Sequence, residues 1–357
     1  MRWAIALALE GVGKTSPNPV VGAVVVRDDK VLGEGYHCKA GTPHAEVHAI
    51  NKAGASARGA DLYVTLEPCC HKGKTPPCTE GIIRSGIRTV IIGTKDPNPL
   101  VNGRGIRRLK QAGIRVVTDV LKRNCLELNE AYNKHIVTGV PYITAKVALS
   151  LDGKMSAASG DSKWITNKDC RAYVHRLRSM SDAVMVGGGT VRKDDPRLNV
   201  RVKGVGGGQP KAIVVDELLK LPRSSKIFKR RKGKSIFITT SRSPKSCRSW
   251  IEKEGFEVIV SRSTGNGFVF LPHMLKQLGD KGITSVLLEG GGELFSDFIS
   301  KGLVDKLIVC IAPKLIGGLG MDFLPRLSVK KISDAISMKD VTFKTFGDNV
   351  VVEGFMR

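Results

Sequence analysis

The sequence predicts an α/β protein built as two domains, residues 1–140 and 141–357. Three observations carry that reading. The 357 residues suffice for two hydrophobic cores rather than one. Short apolar runs alternate with helical patterns of about 10–15 residues, which implies largely parallel sheets covered on both faces. Gly139-Val140-Pro141 then stops the last helix of the first series and marks the boundary.

In the first domain, residues 4–9 read as helix and 20–26 as a buried strand, with Asp28-Asp29 turning the chain into a strand over 31–36. Helix 43–53, strand 61–66, helix 77–85, strand 89–94, helix 103–112, strand 114–118 and helix 121–138 follow. In the second domain, strands fall at 142–148, 183–186, 211–215, 235–240, 258–261, 285–288 and 306–311. A last pair, 341–346 and 349–355, is split by Gly347-Asp348, an antiparallel hairpin signal. Glycine clusters at 187–189, 290–292 and 317–318 sit where strands end, and 203–209 reads as a surface loop.

Composition excludes several classes. Hydrophobic content is ordinary at 41%, so neither disorder nor a fibre is expected. No apolar run reaches the roughly 18 residues that span a bilayer. Residues 1–10 are a short amphipathic segment without a cleavage site, unlike a signal peptide. The eight cysteines are scattered, with three near a histidine, which suits metal ligation in a reducing compartment better than disulfides. The net charge of +24 is compatible with nucleic acid, with phosphorylated small substrates, or with a lysine-rich surface. The densest basic run, Lys226, Lys229, Arg230, Arg231, Lys232 and Lys234, reads as a solvated loop between two strands.

The chemistry concentrates in Pro43-His44-Ala45-Glu46, Glu67-Pro68-Cys69 and Cys78. One imidazole and two thiolates give a metal three ligands, and an open fourth position distinguishes a catalytic zinc from a structural one. Such a site lowers the pKa of a bound water, and Glu46 is the natural group to move its protons. His44 and Glu46 are two residues apart, about 200° around a helix. Both reach one ion only if the helix meets it end-on, with His44 in its first turn and Pro43 at its start. Cys69 is expected at a strand-to-helix junction, where a helix N-terminus stabilises thiolates. His48 and Cys70 are rival ligands by position, while Cys38, Cys125, Cys170, Cys247 and Cys310 lack partners at ligand spacing. The arrangement resembles the His-x-Glu … Pro-Cys signature of zinc-dependent nucleobase deaminases. Those enzymes typically use Pro-Cys-x-x-Cys. Here eight residues, including His71, Lys72 and Lys74, separate Cys69 from Cys78, an insertion suited to holding a phosphate.

The runs Thr15-Ser-Pro-Asn-Pro-Val-Val-Gly22, His44-Ala-Glu-Val-His48 and Leu66-Glu-Pro-Cys-Cys-His-Lys-Gly-Lys-Thr-Pro-Pro-Cys78 resemble the bifunctional riboflavin-biosynthesis deaminase/reductases. The likeness covers nearly the whole chain. It implies a cytidine-deaminase-like three-layer domain followed by a dihydrofolate-reductase-like domain. The implied reaction is hydrolytic deamination of 2,5-diamino-6-(5-phospho-D-ribosylamino)pyrimidin-4(3H)-one, then NADPH-dependent reduction of the ribosyl group to ribityl. Zinc would sit on His44, Cys69 and Cys78, with Glu46 shuttling protons and Asn18 touching the pyrimidine. The resemblance also implies a cytoplasmic homo-oligomer whose partner is a phosphorylated pyrimidine, with no nucleic acid and no membrane.

The second domain has strand ends followed by glycines, where a backbone can approach a pyrophosphate, yet lacks G-x-G-x-x-G. Its resemblance rests on Lys146–Lys154, Ser162–Thr166, Val186–Thr190, Asp194–Arg201 and Leu288–Leu294. This implies NADP contacts from Ala148, Trp164, Thr190, Asp194, Gly291, Gly292, Glu293, Leu294, Phe295, Ser296 and Asp297. Ser162, Arg178, Leu198, Arg201 and Glu289 would hold substrate, the two arginines on its phosphate, and Lys146 would orient the ribose. One departure stands out. Where the family often has Ser or Thr after a strand-end aspartate, Glu217 follows Asp216, and a carboxylate suits a 2′-phosphate poorly. Arg242 is the candidate to supply that charge instead.

Two rival readings are weaker. Gly11-Val-Gly-Lys-Thr-Ser16 imitates a phosphate loop, but Ala8 stands where a Walker motif needs glycine. A polynucleotide deaminase fits the charge but gives no reason for an NADPH domain.

Overall fold

A computed structural model describes residues 1–72, 76–202, 206–230 and 232–356. Lys74 of the insertion expected to hold a phosphate, residues 203–205 of the expected surface loop and Arg231 of the basic run lie outside them. The chain forms two compact units, Met1–Val140 and Pro141–Arg357.

Unit 1 contains α1 (Arg2–Leu9), β1 (Gly22–Arg27), β2 (Lys30–Tyr36), α2 (Ala45–Ala53), β3 (Asp61–Leu66), α3 (Cys78–Ser85), β4 (Thr89–Thr94), α4 (Arg104–Gln111), β5 (Arg115–Val117), α5 (Lys122–Leu128) and α6 (Glu130–Thr138). Its sheet runs β2-β1-β3-β4-β5. Only β3-β4-β5 are parallel, because β1 pairs antiparallel with both β2 and β3. The expected largely parallel sheet is therefore mixed. The expected two-residue turn, where Asp28 and Asp29 both take positive φ, makes the β1–β2 hairpin, and β1 then also pairs antiparallel with β3.

Small residues bring α2 flat onto this sheet. A Cβ on Gly33 would lie 2.2 Å from the Ala49 carbonyl oxygen, and one on Gly35 would lie 2.4 Å from the His48 Cβ. Ala45, Ala49 and Ala53 bury the facing stripe of the helix. That close approach fixes where the start of α2 points. The helix predicted over 121–138 is two helices, because Asn129 leaves the helical path to bind Val20. Its amide donates to the Val20 carbonyl at 2.9 Å and its Oδ1 accepts the Val20 N–H at 2.8 Å. A buried backbone pair is thereby satisfied, which outweighs one continuous helix.

Unit 2 contains β6 (Tyr142–Ser150), β7 (Lys154–Ser156), α7 (Lys168–Met180), β8 (Ala183–Gly187), α8 (Gly188–Asp194), β9 (Lys211–Val215), β10 (Ser235–Thr239), α9 (Lys245–Lys253), β11 (Glu257–Val260), α10 (Leu271–Asp280), β12 (Ser285–Leu288), α11 (Gly292–Ser300), β13 (Lys306–Ala312), β14 (Met321–Asp322), β15 (Lys339–Phe346) and β16 (Asn349–Phe355). The main sheet runs β11-β10-β9-β8-β12-β6-β13-β16-β15. It is parallel from β11 to β13 and ends in the expected antiparallel hairpin. The short strands β7 and β14, which pair with each other, escape the sequence because two or three residues show no periodicity.

The basic run after β9 is not merely a solvated loop. Ile227 is fully buried, and the Phe228 ring packs on Phe237, Trp250 and Phe256 with centroids 4.9–5.9 Å apart. The lysines reach outward from a segment nailed down by two apolar side chains.

Candidate functional site

In unit 1, three chain segments meet at one point. His44 is the residue before α2 rather than within its first turn, with φ −77° and ψ 167°. Cys69 lies in the loop after β3, and the helix N-terminus belongs to Cys78, which opens α3. The Cys78 N–H donates to Cys69 Sγ at 3.4 Å. His44 Nδ1 lies 3.1 Å from Cys78 Sγ and 3.6 Å from Cys69 Sγ. The three ligand atoms lie within 4.8 Å of one another, the one such group of His, Cys, Asp or Glu side chains found among the described residues. A tetrahedral zinc holds a nitrogen and a sulfur ligand about 3.6 Å apart, so this donor set fits the ion. His48 and Cys70 are outside the group: His48 packs on Gly35, and Cys70 Sγ faces the Leu100 carbonyl at 3.9 Å.

The two sulfurs are hydrogen-bonded and titrate as a pair. The Cys78 thiol holds Cys69 as thiolate, with a pKa of about 4, and Cys78 is correspondingly pushed up. The Cys69 sulfur raises His44. Glu46 is only 3% exposed, and burial, then the Cys69 charge, raises its carboxyl above the usual range. Its Oε2 has no hydrogen-bond partner. An unpartnered carboxylate oxygen beside a three-ligand metal group is placed to take up a proton.

A cavity of about 440 Å³ opens over these residues, lined also by Asn18, His37, His71, Asp96, Asn98 and Tyr132. The Pro43 carbonyl, 3.2 Å away, accepts from His37 Nδ1, which leaves Nε2 to accept from the Asn18 amide at 3.2 Å. Asn18 is thereby oriented with its carbonyl oxygen as the free acceptor. Burial lowers the His37 pKa, keeping it neutral for this role.

In the sequence Glu67 stands only as part of a motif, yet its carboxylate organises the cavity wall. It accepts from the backbone N–H groups of Asp96 (3.3 Å), Gly103 (2.9 Å) and Ile106 (3.1 Å). Gly103 caps α4 and has no side chain to do so, and Glu67 supplies the missing acceptor from another element. Asp96 in turn accepts from the Tyr132 hydroxyl at 3.0 Å. The turn that carries Cys69 and the wall formed by Asp96, Asn98 and Val101 are thus tied by one buried acid. No local pattern in the sequence announces a hydrogen bond across 29–39 residues.

In unit 2, a cleft of about 510 Å³ opens at the carboxyl ends of the parallel strands. Ala148, Ser162, Thr190, Asp194, Glu289, Gly291, Gly292, Glu293, Leu294, Phe295 and Asp297 line it, together with Lys146. The start of α11 is bare backbone: Gly291 has φ +80°, and Cβ atoms on Gly290 and Gly291 would sit 3.1 and 3.3 Å from Thr190 Oγ1. A loop free of side chains before a helix N-terminus fits a pyrophosphate. The strap formed by β7 and β14, closed by Lys154–Asp322 at 2.6 Å, adds Met155, Ser156 and Met321 to the wall.

Five residues expected at this site lie outside the cleft lining. Ser296 is buried and spends its hydroxyl on the Gly292 carbonyl and the Arg326 N–H. Trp164 is 60% exposed, with the Arg171 guanidinium 4.5 Å above its ring. Leu198 is 1% exposed with φ +49°, so only its backbone is presentable. Arg178 forms a two-pronged pair with Glu289, both bonds 2.6 Å, and also donates to the Asn199 carbonyl. Burial works to raise the Glu289 carboxyl, but Arg178 overcomes it and holds Glu289 below the usual range. Arg201, exposed, donates to Asn199 Oδ1 at 2.9 Å.

The chain was compared with known proteins. The family model described as "Cytidine and deoxycytidylate deaminase zinc-binding region" matches residues 1–94, and the "RibD C-terminal domain" model matches residues 141–352. Riboflavin biosynthesis protein RibD of Aquifex aeolicus is 42% identical over 99% of this chain and 96% of its own length. The Escherichia coli protein of that name is 40% identical, over 98% of this chain and 96% of its own length. Among solved structures, Acinetobacter baumannii RibD superposes with a TM-score of 0.90 at 35% identity, covering 100% of this chain and 97% of that one. A Thermotoga maritima diaminohydroxyphosphoribosylaminopyrimidine deaminase/5-amino-6-(5-phosphoribosylamino)uracil reductase gives 0.88 at 37% identity with the same coverage.

Proposed function

Because this chain belongs to the RibD family of riboflavin-biosynthesis proteins, we propose that residues 1–140 carry its deamination and residues 141–357 its reduction. The chain is a bifunctional enzyme. It deaminates 2,5-diamino-6-(5-phospho-D-ribosylamino)pyrimidin-4(3H)-one hydrolytically to the 5-aminouracil, then reduces the ribosyl group to ribityl with NADPH.

In unit 1, His44, Cys69 and Cys78 hold the zinc, a Lewis acid that acidifies water when bound. Glu46 Oε2 takes a proton from the attacking water and returns one to the departing amine. The observation that carries this role is its buried, unpartnered oxygen beside the ligand group. Asn18, oriented through His37, accepts from a pyrimidine N–H.

In unit 2, Ala148, Thr190, Asp194, Gly291 to Phe295 and Asp297 would hold NADPH, which supplies the hydride, while the buried Ser296 braces the start of α11 and the exposed Trp164 would reach the cofactor from beyond the cleft lining. Ser162, Arg178, Leu198, Arg201 and Glu289 hold the substrate. Arg201, with its exposed guanidinium, takes the phosphate, while Arg178 and Glu289 work as a locked pair that fixes the wall. Leu198 contributes through its backbone.

Two broader readings go with this. Exposed apolar side chains in unit 2, Leu315 (78%), Leu319 (87%), Ile332 (91%) and Phe343 (70%), support a homo-oligomer, which light scattering would score. None of the eight cysteines is in a disulfide, which supports a reducing cytoplasm. The test of the activity is a coupled assay on the diaminopyrimidine. Without NADPH the ribosyl uracil accumulates, and with it the ribityl product forms. Formation of a ribityl product that still carries the 2-amino group would contradict the assigned order.

A further inference from the structure

A second cavity of about 510 Å³ lies in unit 2, lined by residues of the loops after β9 and β10 and by Asn266, Gly267 and Phe268. It shares Arg192, Asp216, Glu217 and Phe268 with the cofactor cleft, so the two are one continuous groove. Lys220 and Arg242 line only the second cavity. We propose that this cavity seats a phosphomonoester on the cofactor's adenosine ribose, with Arg242 as its principal charge and Lys220 as its second. The proposal rests on the NADPH reading of the cleft and assigns the residues that discriminate NADPH from NADH.

The argument is one of charges already spent and charges left over. Arg192 is committed: its guanidinium pairs with Asp216 and also donates to the Lys220 carbonyl at 3.2 Å. Asp216 is further occupied by the N–H groups of Leu218 and Lys220. Among the described residues, the side chains of Arg242 and Lys220 have no hydrogen-bond or ion-pair partner. Two unspent cations in one concavity call for an anion, and a guanidinium offers a phosphate two parallel N–H bonds.

The guanidinium is also placed in advance. A Cβ on Gly267 would lie 1.6 Å from Arg242 Nη1, so the side chain lies where only a glycine leaves room. Gly267 has φ +81° and sits in a turn closed by its N–H on the Thr264 carbonyl (2.9 Å) and the Thr264 N–H on the Phe268 carbonyl (2.8 Å). The Arg242 backbone is held in turn by Thr240 Oγ1 at 3.3 Å.

Glu217, the residue that argued against a 2′-phosphate in the sequence, stands at the junction of the two cavities. Its carbonyl accepts from the hydroxyls of Thr239 (2.9 Å) and Thr240 (3.1 Å), which fixes its backbone. Its carboxylate forms no ion pair with Arg242, so it does not cancel that charge. On the cleft side it meets a ribose hydroxyl, a donor that a carboxylate suits, and the phosphate lies beyond it.

The test is binding rather than turnover. Dissociation constants of the intact chain are measured for NADPH and NADH, and for 2′,5′-ADP and 5′-AMP. The wild type is expected to prefer the phosphorylated member of each pair. Arg242→Ala should cut that preference by roughly 30-fold while leaving the NADH constant unchanged. Lys220→Ala should cut it several-fold, and Gly267→Ala, which displaces the guanidinium, should act in the same direction. A wild type that prefers NADH, or an Arg242→Ala variant that keeps the full preference, overturns the proposal. Binding of neither dinucleotide would instead refute the reductase reading, and the 2′,5′-ADP to 5′-AMP ratio would still decide the pocket.

Discussion

The two units build their sites from opposite materials. Unit 1 gathers a few reactive side chains at one point, His44 and Glu46 at the start of α2, Cys78 at the start of α3 and Cys69 in the loop after β3, with His44, Cys69 and Cys78 within reach of a single ion. Unit 2 spreads its site along a groove more than twenty residues round, whose centre is glycine backbone and whose wall residue Glu289 is held by the Arg178 pair. A site made of side chains fails when one atom is removed. A site made of backbone degrades by degrees, because each contact carries a fraction of the binding. The comparison teaches that the two activities should be separable by mutation and unequal in fragility.

The largest effect expected is on the metal. Cys78→Ser should abolish stoichiometric zinc and take deamination below detection, while reduction of pre-deaminated substrate stays within about twofold; metal analysis and separate assays check this. Loss of reduction in that variant would break the comparison. Next comes the buried pair in unit 2. Arg178→Ala strands Glu289 without its partner, which should cost about 3–5 kcal/mol of stability in that unit, read by chemical denaturation with the zinc content unchanged.

A smaller effect sharpens the contrast within unit 1. Glu67→Gln keeps the shape but turns an amide N–H₂ towards backbone donors. It should raise the deaminase KM about tenfold with zinc retained and kcat nearly preserved, because it loosens the wall rather than the ligands. Equal falls in zinc content and kcat would show that the wall and the metal turn are one rigid piece. The smallest effect concerns pH. Burial, then Arg178 and Arg201, lowers His175 from its ordinary 6.5 to about 4. A histidine depressed on folding leaves unit 2 at full stability above about pH 6.5 and destabilises it as pH falls towards about 4. His175→Asn should flatten that slope in melting curves taken across the window.

How much was legible follows the same division. The elements of the parallel sheets announce themselves through apolar runs, and β3, β4, β9 and β12 fall where the pattern puts them. The β1–β2 hairpin is legible at Asp28-Asp29, but the antiparallel pairing of β1 with β3 is hidden, because strand direction depends on a partner that residues 20–26 do not encode alone. The split at Asn129 was hidden because its partner, Val20, is 109 residues away. In the sites, residue types with rare chemistry were visible at once: no structural use explains His, Glu and two Cys at that spacing. Glu67 and His37 were not singled out, since their roles exist only through hydrogen bonds to distant backbone. Arg242 was visible as the candidate to offset Glu217, but not Gly267, which lines the same cavity and leaves room for that guanidinium.

Separability of the two units is the central claim, and Glu46→Ala tests it most directly. The substitution removes the proposed proton carrier but none of the expected metal ligands, so zinc should remain bound. Deamination should fall by about 10²–10⁴-fold, while NADPH oxidation with the pre-deaminated uracil proceeds at the wild-type rate. Loss of both activities in a folded, zinc-loaded variant would contradict the account.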